Sequence, residues 1–158
     1  MREFELRAVT LENRGDLEQI NPGEQAQAWV RRHWFWHQHA LENSHISFRL
    51  IHIPRAVHAI GMVAFGAAYS DEAHTIGFLG DFELLHLVID QHYQRQGLGR
   101  DVAVQVLRTL ANEPDCRRIL VALNAANLPA QSFVEALGFL AIKQQHYDGD
   151  PMWAIATR

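Results

Sequence analysis

The sequence predicts an α/β fold: a single mixed sheet, mostly antiparallel, flanked by helices, in one domain covering residues 1–158. Three observations carry this expectation. Periodicity along the chain gives the order β-α-α-β-β-β-α-β-α-β-β, which is not a doubly wound order. Two runs, Phe82–Ile89 and Ile119–Leu123, are apolar on both faces, as central strands are. A glycine-bearing loop joins the first of these runs to an amphipathic helix.

The elements follow in order. Phe4-Glu5-Leu6-Arg7-Ala8-Val9 alternates apolar and polar residues, the period of a half-buried strand, and Thr10 is placed to cap a helix through Gln19. Asn21-Pro22-Gly23 stops that helix. From Glu24 to about Leu41, Trp29, His33, Trp36, His37 and Ala40 recur at helical spacing and predict a second, amphipathic helix. Ile46–Ile53 and Val57–Tyr69 read as an antiparallel hairpin around Pro54-Arg55.

After the central strand, Gly99–Ala111 sets Ala103, Val106, Leu107 and Leu110 on one helical stripe. Pro129 suits the first turn of a further helix with Phe133, Val134 and Leu137 on its apolar face, and Gly138 suits the left-handed position that ends it. Two closing strands, about Phe139–Tyr147 and Met152–Ala156, flank the turn Asp148-Gly149-Asp150-Pro151.

Composition bounds the function. With 158 residues the chain is long enough to bury one substantial core, and 48% hydrophobic and 20% charged residues exclude disorder. A net charge of −4 argues against a nucleic-acid partner, because neutralising phosphates takes a clustered excess of Lys and Arg. Cys116 is the only cysteine, so a disulfide scaffold is excluded and a cytoplasmic home is expected. No apolar run reaches the ~20 residues of a membrane span, and the N-terminus lacks the layout of a signal peptide.

The segment that carries chemistry is the strand ending at Ile89, then Gln94-Arg95-Gln96-Gly97-Leu98-Gly99-Arg100, then a helix. Strand, glycine loop and helix start make an anion-binding layout: glycine lets the backbone approach a pyrophosphate, and unpaired N–H groups with the helix dipole supply positive potential. Arg95 and Arg100 add charge at its rim. A nucleotide-binding Walker loop would need Lys followed by Ser or Thr, which is lacking, and a dinucleotide fingerprint would need glycine where Val102 stands.

Gln94-Arg95-Gln96-Gly97-Leu98-Gly99 resembles the Gln/Arg-x-x-Gly-x-Gly/Ala motif of the GCN5-related N-acetyltransferase (GNAT) superfamily. Asn127-Leu128-Pro129-Ala130-Gln131-Ser132-Phe133-Val134-Glu135-Ala136-Leu137-Gly138-Phe139 is similar to that family's second conserved segment. Leu6-Arg7-Ala8-Val9-Thr10 and the Ile89–Gln94 junction loosely resemble its polyamine acetyltransferase branch. The resemblance implies a splayed sheet with acetyl-CoA as co-substrate. In the Leu87-Val88-Ile89 stretch, Leu87 and Ile89 would offer backbone groups to the pantetheine arm. N–H groups of Arg95, Gln96, Gly97, Leu98, Gly99 and Arg100 would hold the pyrophosphate. Asn124 and Asn127 would bond the cofactor's polar groups, with Asn127 equally placed to be a helix N-cap, and Phe133 would pack against it.

Acyl transfer to an amine needs a base for the ammonium, whose pKa lies near ~10, and a donor for the carbonyl oxygen. Counted back from Gly97-Leu98-Gly99, Glu83 falls where the histone acetyltransferase branch carries its catalytic glutamate, and the Ile89 N–H is the implied oxyanion donor. The alternative reading of Glu83 is a solvated residue at a strand end. Where many members carry a tyrosine as general acid, this chain has Val134, which leaves Tyr147 or His86 as substitutes, or unassisted departure of the thiolate.

His33 and His37 share a helix face, but no further ligand completes a set, so no metal is expected. Trp34, Trp36 and His37 would line the acceptor cleft or serve as core or homodimer contacts. Acidic residues at Asp71-Glu72, Asp81 and Asp148-Gly149-Asp150 would favour a small cationic amine. The expectation is therefore an N-acetyltransferase, with a non-catalytic acyl-CoA sensor or a structural dimer as the competing classes.

Overall fold

A computed structural model describes residues 3–27, 33–71 and 77–157. Its strands are β1 Glu5–Arg7, β2 Ile46–His52, β3 Gly61–Tyr69, β4 Gly77–Ile89, β5 Arg118–Ala122, β6 Leu140–Gln145 and β7 Pro151–Ala156. Its α-helices are α1 Glu24–Gln27, α2 His33–Glu42, α3 Leu98–Ala111 and α4 Leu128–Ala136. The strands form one sheet in the order β1-β2-β3-β4-β5-β7-β6. β1 with β2, β5 with β7 and β6 with β7 pair antiparallel, whereas β4 with β5 is parallel, so the sheet is mixed as expected.

The last strand inserts between β5 and β6. Met152 and Trp153 are consecutive and both buried, one on each face, which an interior strand requires. β6 takes the edge instead, with Leu140, Ala141, Lys143 and Gln145 exposed. The parallel ladder of β4 with β5 runs from Asp81↔Arg118 to Glu83↔Leu120 and stops there, although β4 continues to Ile89.

The chain divides into two compact units, residues 1–65 with 86–103 and residues 66–85 with 104–158. In the first, Leu50, Ile51, Ile60, Met62, Val63 and Val102 are sealed from solvent. Gly61 is required there: a Cβ at this position would lie 2.4 Å from the Val88 carbonyl oxygen, closer than any side chain tolerates. In the second, Ala68, Leu120 and Met152 form a core cluster with Ala122, Ile142 and Ala154 packed against it. Gly138 closes α4 at φ 105, the left-handed position foreseen for it.

Three element expectations need correction. Thr10 does not cap an α-helix. Its backbone N–H donates to Asn13 Oδ1 (2.7 Å) and its Oγ1 accepts from the Asn13 N–H (3.3 Å), closing a turn before a 3-10 helix over Arg14–Gln19. One cause is local, since Gly15 is a poor helix former, and one is tertiary, since the buried Asp16 turns its carboxylate to the Ala59 N–H (2.8 Å) and to His58 (3.0 Å). The Glu24–Leu41 helix appears as α1 and α2, while Trp29, like Glu72, lies outside the described residues. Val57 is exposed in a loop, and β3 begins only at Gly61.

Candidate active site

The glycine loop lies in the first unit, and its first motif residue has a structural task. Gln94 Nε2 donates to the carbonyl oxygens of Ile89 (2.7 Å) and Pro22 (2.9 Å), fastening the strand end to the loop. Asp90 accepts from the backbone N–H groups of Asn21 and His92 (3.0 Å each) and pairs with the His92 ring (2.8 Å). Burial alone would raise the Asp90 pKa, but these bonds together hold it below the ordinary aspartate value. Arg95 at φ 60 and Gly97 at φ 83 are both left-handed. A residue other than glycine in that conformation costs about 1–2 kcal/mol, a strain that collects at functional loops.

α3 opens directly after the loop, with Asp101 N–H donating to the Gly97 carbonyl (3.0 Å). Helix geometry leaves the first N–H groups after it, those of Leu98, Gly99 and Arg100, without intrahelical acceptors. Gly99 thus sits inside the helix rather than at its start. Arg95 and Arg100 are exposed. Sequence reasoning missed Arg55, whose guanidinium lies 5.9 Å over the Tyr93 ring and donates to Gln96 Oε1. Within this unit Leu87 is half-buried while Val88, Ile89 and His86 are buried, and the Ile89 carbonyl is engaged by Gln94.

The other candidate residues lie in the second unit. Glu83 is not a solvated strand end: it is 4% exposed, in the last described pair of the parallel β4/β5 ladder. Its Oε2 stands 3.6 Å from His146 Nε2, an ion-pair separation, and His146 Nδ1 stands 2.9 Å from Asp148 Oδ1. Burial pushes the Glu83 carboxyl above its ordinary pKa, with His146 opposing. Burial would lower His146, but Glu83 and Asp148 together outweigh it and raise the imidazole. The group borders a cavity of about 190 Å³ lined also by Tyr69, Ser70 and Tyr147. The Tyr147 ring packs on the His146 ring, centroids 3.8 Å apart.

A buried carboxylate with an imidazole beside it, opening on a cavity, can take and pass on a proton at neutral pH. His146 was not singled out from the sequence. It follows the end of β6, and only pairing across the sheet brings it to Glu83. Asp148 was noted only for its charge.

Asn127 caps α4 through a bond from the Ala130 N–H (3.3 Å), and Asn124 Oδ1 accepts from the Ala126 N–H (2.9 Å). Both side-chain oxygens are therefore engaged locally. Phe133 is half-buried on α4, and Val134 is buried and has no proton to give. Asp81 is held in two bonds from Arg118, at 2.8 and 3.0 Å. Trp36 is core, His37 packs against Phe48, and Trp34 is half exposed. Among the described residues no group of three or more His, Cys, Asp or Glu could hold a metal ion, and no helix is long and apolar enough to cross a membrane.

Residues 11–139 match the model of the acetyltransferase (GNAT) family. No curated protein matches the chain at a significant level. Among solved structures, an acetyltransferase from Thermus thermophilus is similar at 17% identity and TM-score 0.73, over 97% of this chain and 96% of that one. The PaiA N-acetyltransferase of Thermoplasma acidophilum in complex with coenzyme A is similar at 16% identity and TM-score 0.65, over 98% of this chain and 99% of that one. A KacTA–DNA complex is similar at 18% identity and TM-score 0.68, over 98% of this chain and 92% of that one. At these identities the likeness is one of fold.

Proposed function

This chain belongs to the acetyltransferase (GNAT) family, and we propose from that premise that it moves an acetyl group from acetyl-CoA to the primary amine of a small cationic acceptor. The observation that carries the reading is Glu83, a buried carboxylate on a cavity wall whose raised pKa suits it to accept a proton near neutral pH. When bound, acetyl-CoA supplies a thioester carbonyl open to attack and a thiolate leaving group.

The residues then divide the work. Left-handed Arg95 and Gly97, followed by the free first turn of α3, fit a pyrophosphate held by the N–H groups of residues 95–100. Arg95 and Arg100 add charge at the rim. Leu87–Ile89 backbone groups would hold the pantetheine arm, the Ile89 N–H would serve the carbonyl oxygen, and Phe133, Asn124 and Asn127 would add further cofactor contacts. Glu83 takes the proton of the acceptor ammonium. Tyr147, on the same cavity as Glu83, is better placed than Val134 to protonate the thiolate.

Asp148, paired with the cavity-lining His146, favours a cationic acceptor, in keeping with the likeness of Leu6–Thr10 to the polyamine acetyltransferase branch. A cytoplasmic homodimer, with the exposed Trp34 and Leu41 of α2 at its contact, goes with this reading.

The test is thiol release from acetyl-CoA with polyamines, aminoglycosides and amino acids, for the wild type and Glu83→Gln. Release with one amine that falls about 10²-fold or more in the variant supports the transferase. Tight acetyl-CoA binding without release from any amine supports the acyl-CoA sensor instead.

A further inference from the structure

We propose that His146 and Asp148 form a proton exit from Glu83, His146 being a relay residue that acts through the glutamate and does not itself touch the acceptor. This rests on the transferase reading and adds to it a route for a proton that the reaction must shed.

The need follows from proton balance. An ammonium that becomes an amide nitrogen gives up two protons as the N–C bond forms and the C–S bond breaks. One ends on the departing sulfur as a thiol. The other must reach water. Glu83 accepts it, but a carboxyl whose side chain is 5% exposed cannot hand it to solvent directly.

The neighbouring groups supply a graded path. From Glu83, side-chain exposure rises to 9% at His146 and 35% at Asp148, and the contacts run Glu83 Oε2 to His146 Nε2, then His146 Nδ1 to Asp148 Oδ1. The two ring nitrogens thus face opposite ends of the path. A proton arriving on Nε2 makes the imidazolium, the proton on Nδ1 leaves to Asp148 and water, and a flip of the ring between turnovers returns a bare nitrogen to Glu83. The Nδ1 contact is close in distance but lacks hydrogen-bond alignment, and the 3.6 Å step must shorten by several tenths of an ångström, a tightening that catalytic contacts undergo on substrate binding.

Two features argue against a purely structural pair. The cluster borders a cavity rather than packed core. A structural role would also be served by a neutral pair, whereas burying a carboxylate beside a titratable ring is costly unless its charge is used. The other ionisable groups lining the cavity are Tyr69 and Tyr147.

The test compares thiol release from acetyl-CoA, with the amine panel above, in wild type, Glu83→Gln, His146→Gln and His146→Ala across pH 6–9 (about the range in which imidazole titrates). The relay predicts that kcat falls about 10- to 100-fold in both His146 variants with KM little changed, that the acid limb of the pH profile moves, and that added imidazole restores rate to His146→Ala. A rate equal to wild type in His146→Gln, with Glu83→Gln impaired, overturns the relay and keeps the base. A slow His146→Ala that imidazole does not rescue and whose pH profile is unmoved marks a structural role and also overturns it. No release from wild type with any amine overturns the transferase reading and the relay together. The imidazole resonances of His146, titrated by NMR, give a readout independent of turnover: its pKa must fall in Glu83→Gln and in Asp148→Asn.

Discussion

Glu83 and His146 stand 3.6 Å apart, Oε2 to Nε2, with both side chains almost wholly out of solvent, so the charge on one sets the charge on the other. Glu83 comes from β4 and His146 from the turn after β6. Both have pKa values raised above their ordinary positions, Glu83 by burial and His146 by the two carboxylates that outweigh its burial.

That coupling fixes the sign of a stability effect. For both groups the folded chain holds its proton to higher pH than the unfolded chain. Stability from the cluster is therefore full below the unfolded pKa values and is lost as pH rises through the folded ones. His37 and His52, lowered by burial, act in the opposite direction, so the comparison must isolate the cluster. Melting curves from pH 5 to 8 (about the span of the carboxyl and imidazole shifts) are expected to show Glu83→Gln gaining on wild type as pH rises. A difference in Tm that is flat with pH would contradict it.

Gly61 makes a second prediction, about the fold. Since a Cβ there would meet the Val88 carbonyl oxygen at 2.4 Å and the Ile51 and Ile89 side chains at 3.0 and 3.1 Å, Gly61→Ala must push backbone apart. A cost of about 1–3 kcal/mol is expected, with Tm lowered by about 2–4 °C for each kcal/mol. Gly15→Ala, with nothing within 4 Å, is the control and should leave Tm unchanged or slightly raised.

Gln94→Ala removes two hydrogen bonds that fasten the loop to Ile89 and Pro22. At roughly 0.5–1.5 kcal/mol each, the loss should appear as lower stability and as weaker acetyl-CoA binding by calorimetry. Gln94→Glu should not restore either, because a carboxylate cannot donate to the two carbonyl oxygens.

Gly97→Ala tests the anion site itself. At φ 83 an alanine is strained by about 1–2 kcal/mol, and its methyl group would stand where the loop meets phosphate. Acetyl-CoA affinity measured by calorimetry is expected to fall about 10-fold or more. Affinity equal to wild type would move the pyrophosphate elsewhere.

Much of this molecule was legible in its sequence because the signals are local. Periodicity found the central strand, the α3 stripe and the closing hairpin, and Gly138 in its left-handed position follows from the geometry of a helix end. The Gln94–Gly99 loop and the helix after it were legible for the same reason, since strand, loop and helix start are consecutive in the chain. The errors have both local and distant causes. The segment from Thr10 forms a turn and then a 3-10 helix over Arg14–Gln19, because Asn13 bonds to the nearby Thr10 N–H and Asp16 to the Ala59 N–H far along the chain.

Other features belong to the tertiary structure alone. Insertion of β7 between β5 and β6 depends on which strand has two apolar faces to bury. Gln94 and Arg55 acquire their partners only when distant loops meet. The family resemblance pointed to Glu83 as a candidate base, with a solvated strand end as the alternative reading. Sheet pairing alone excluded it from water and set His146 and Asp148 beside it, because burial and ionisation depend on neighbours far away in sequence, which no periodicity encodes.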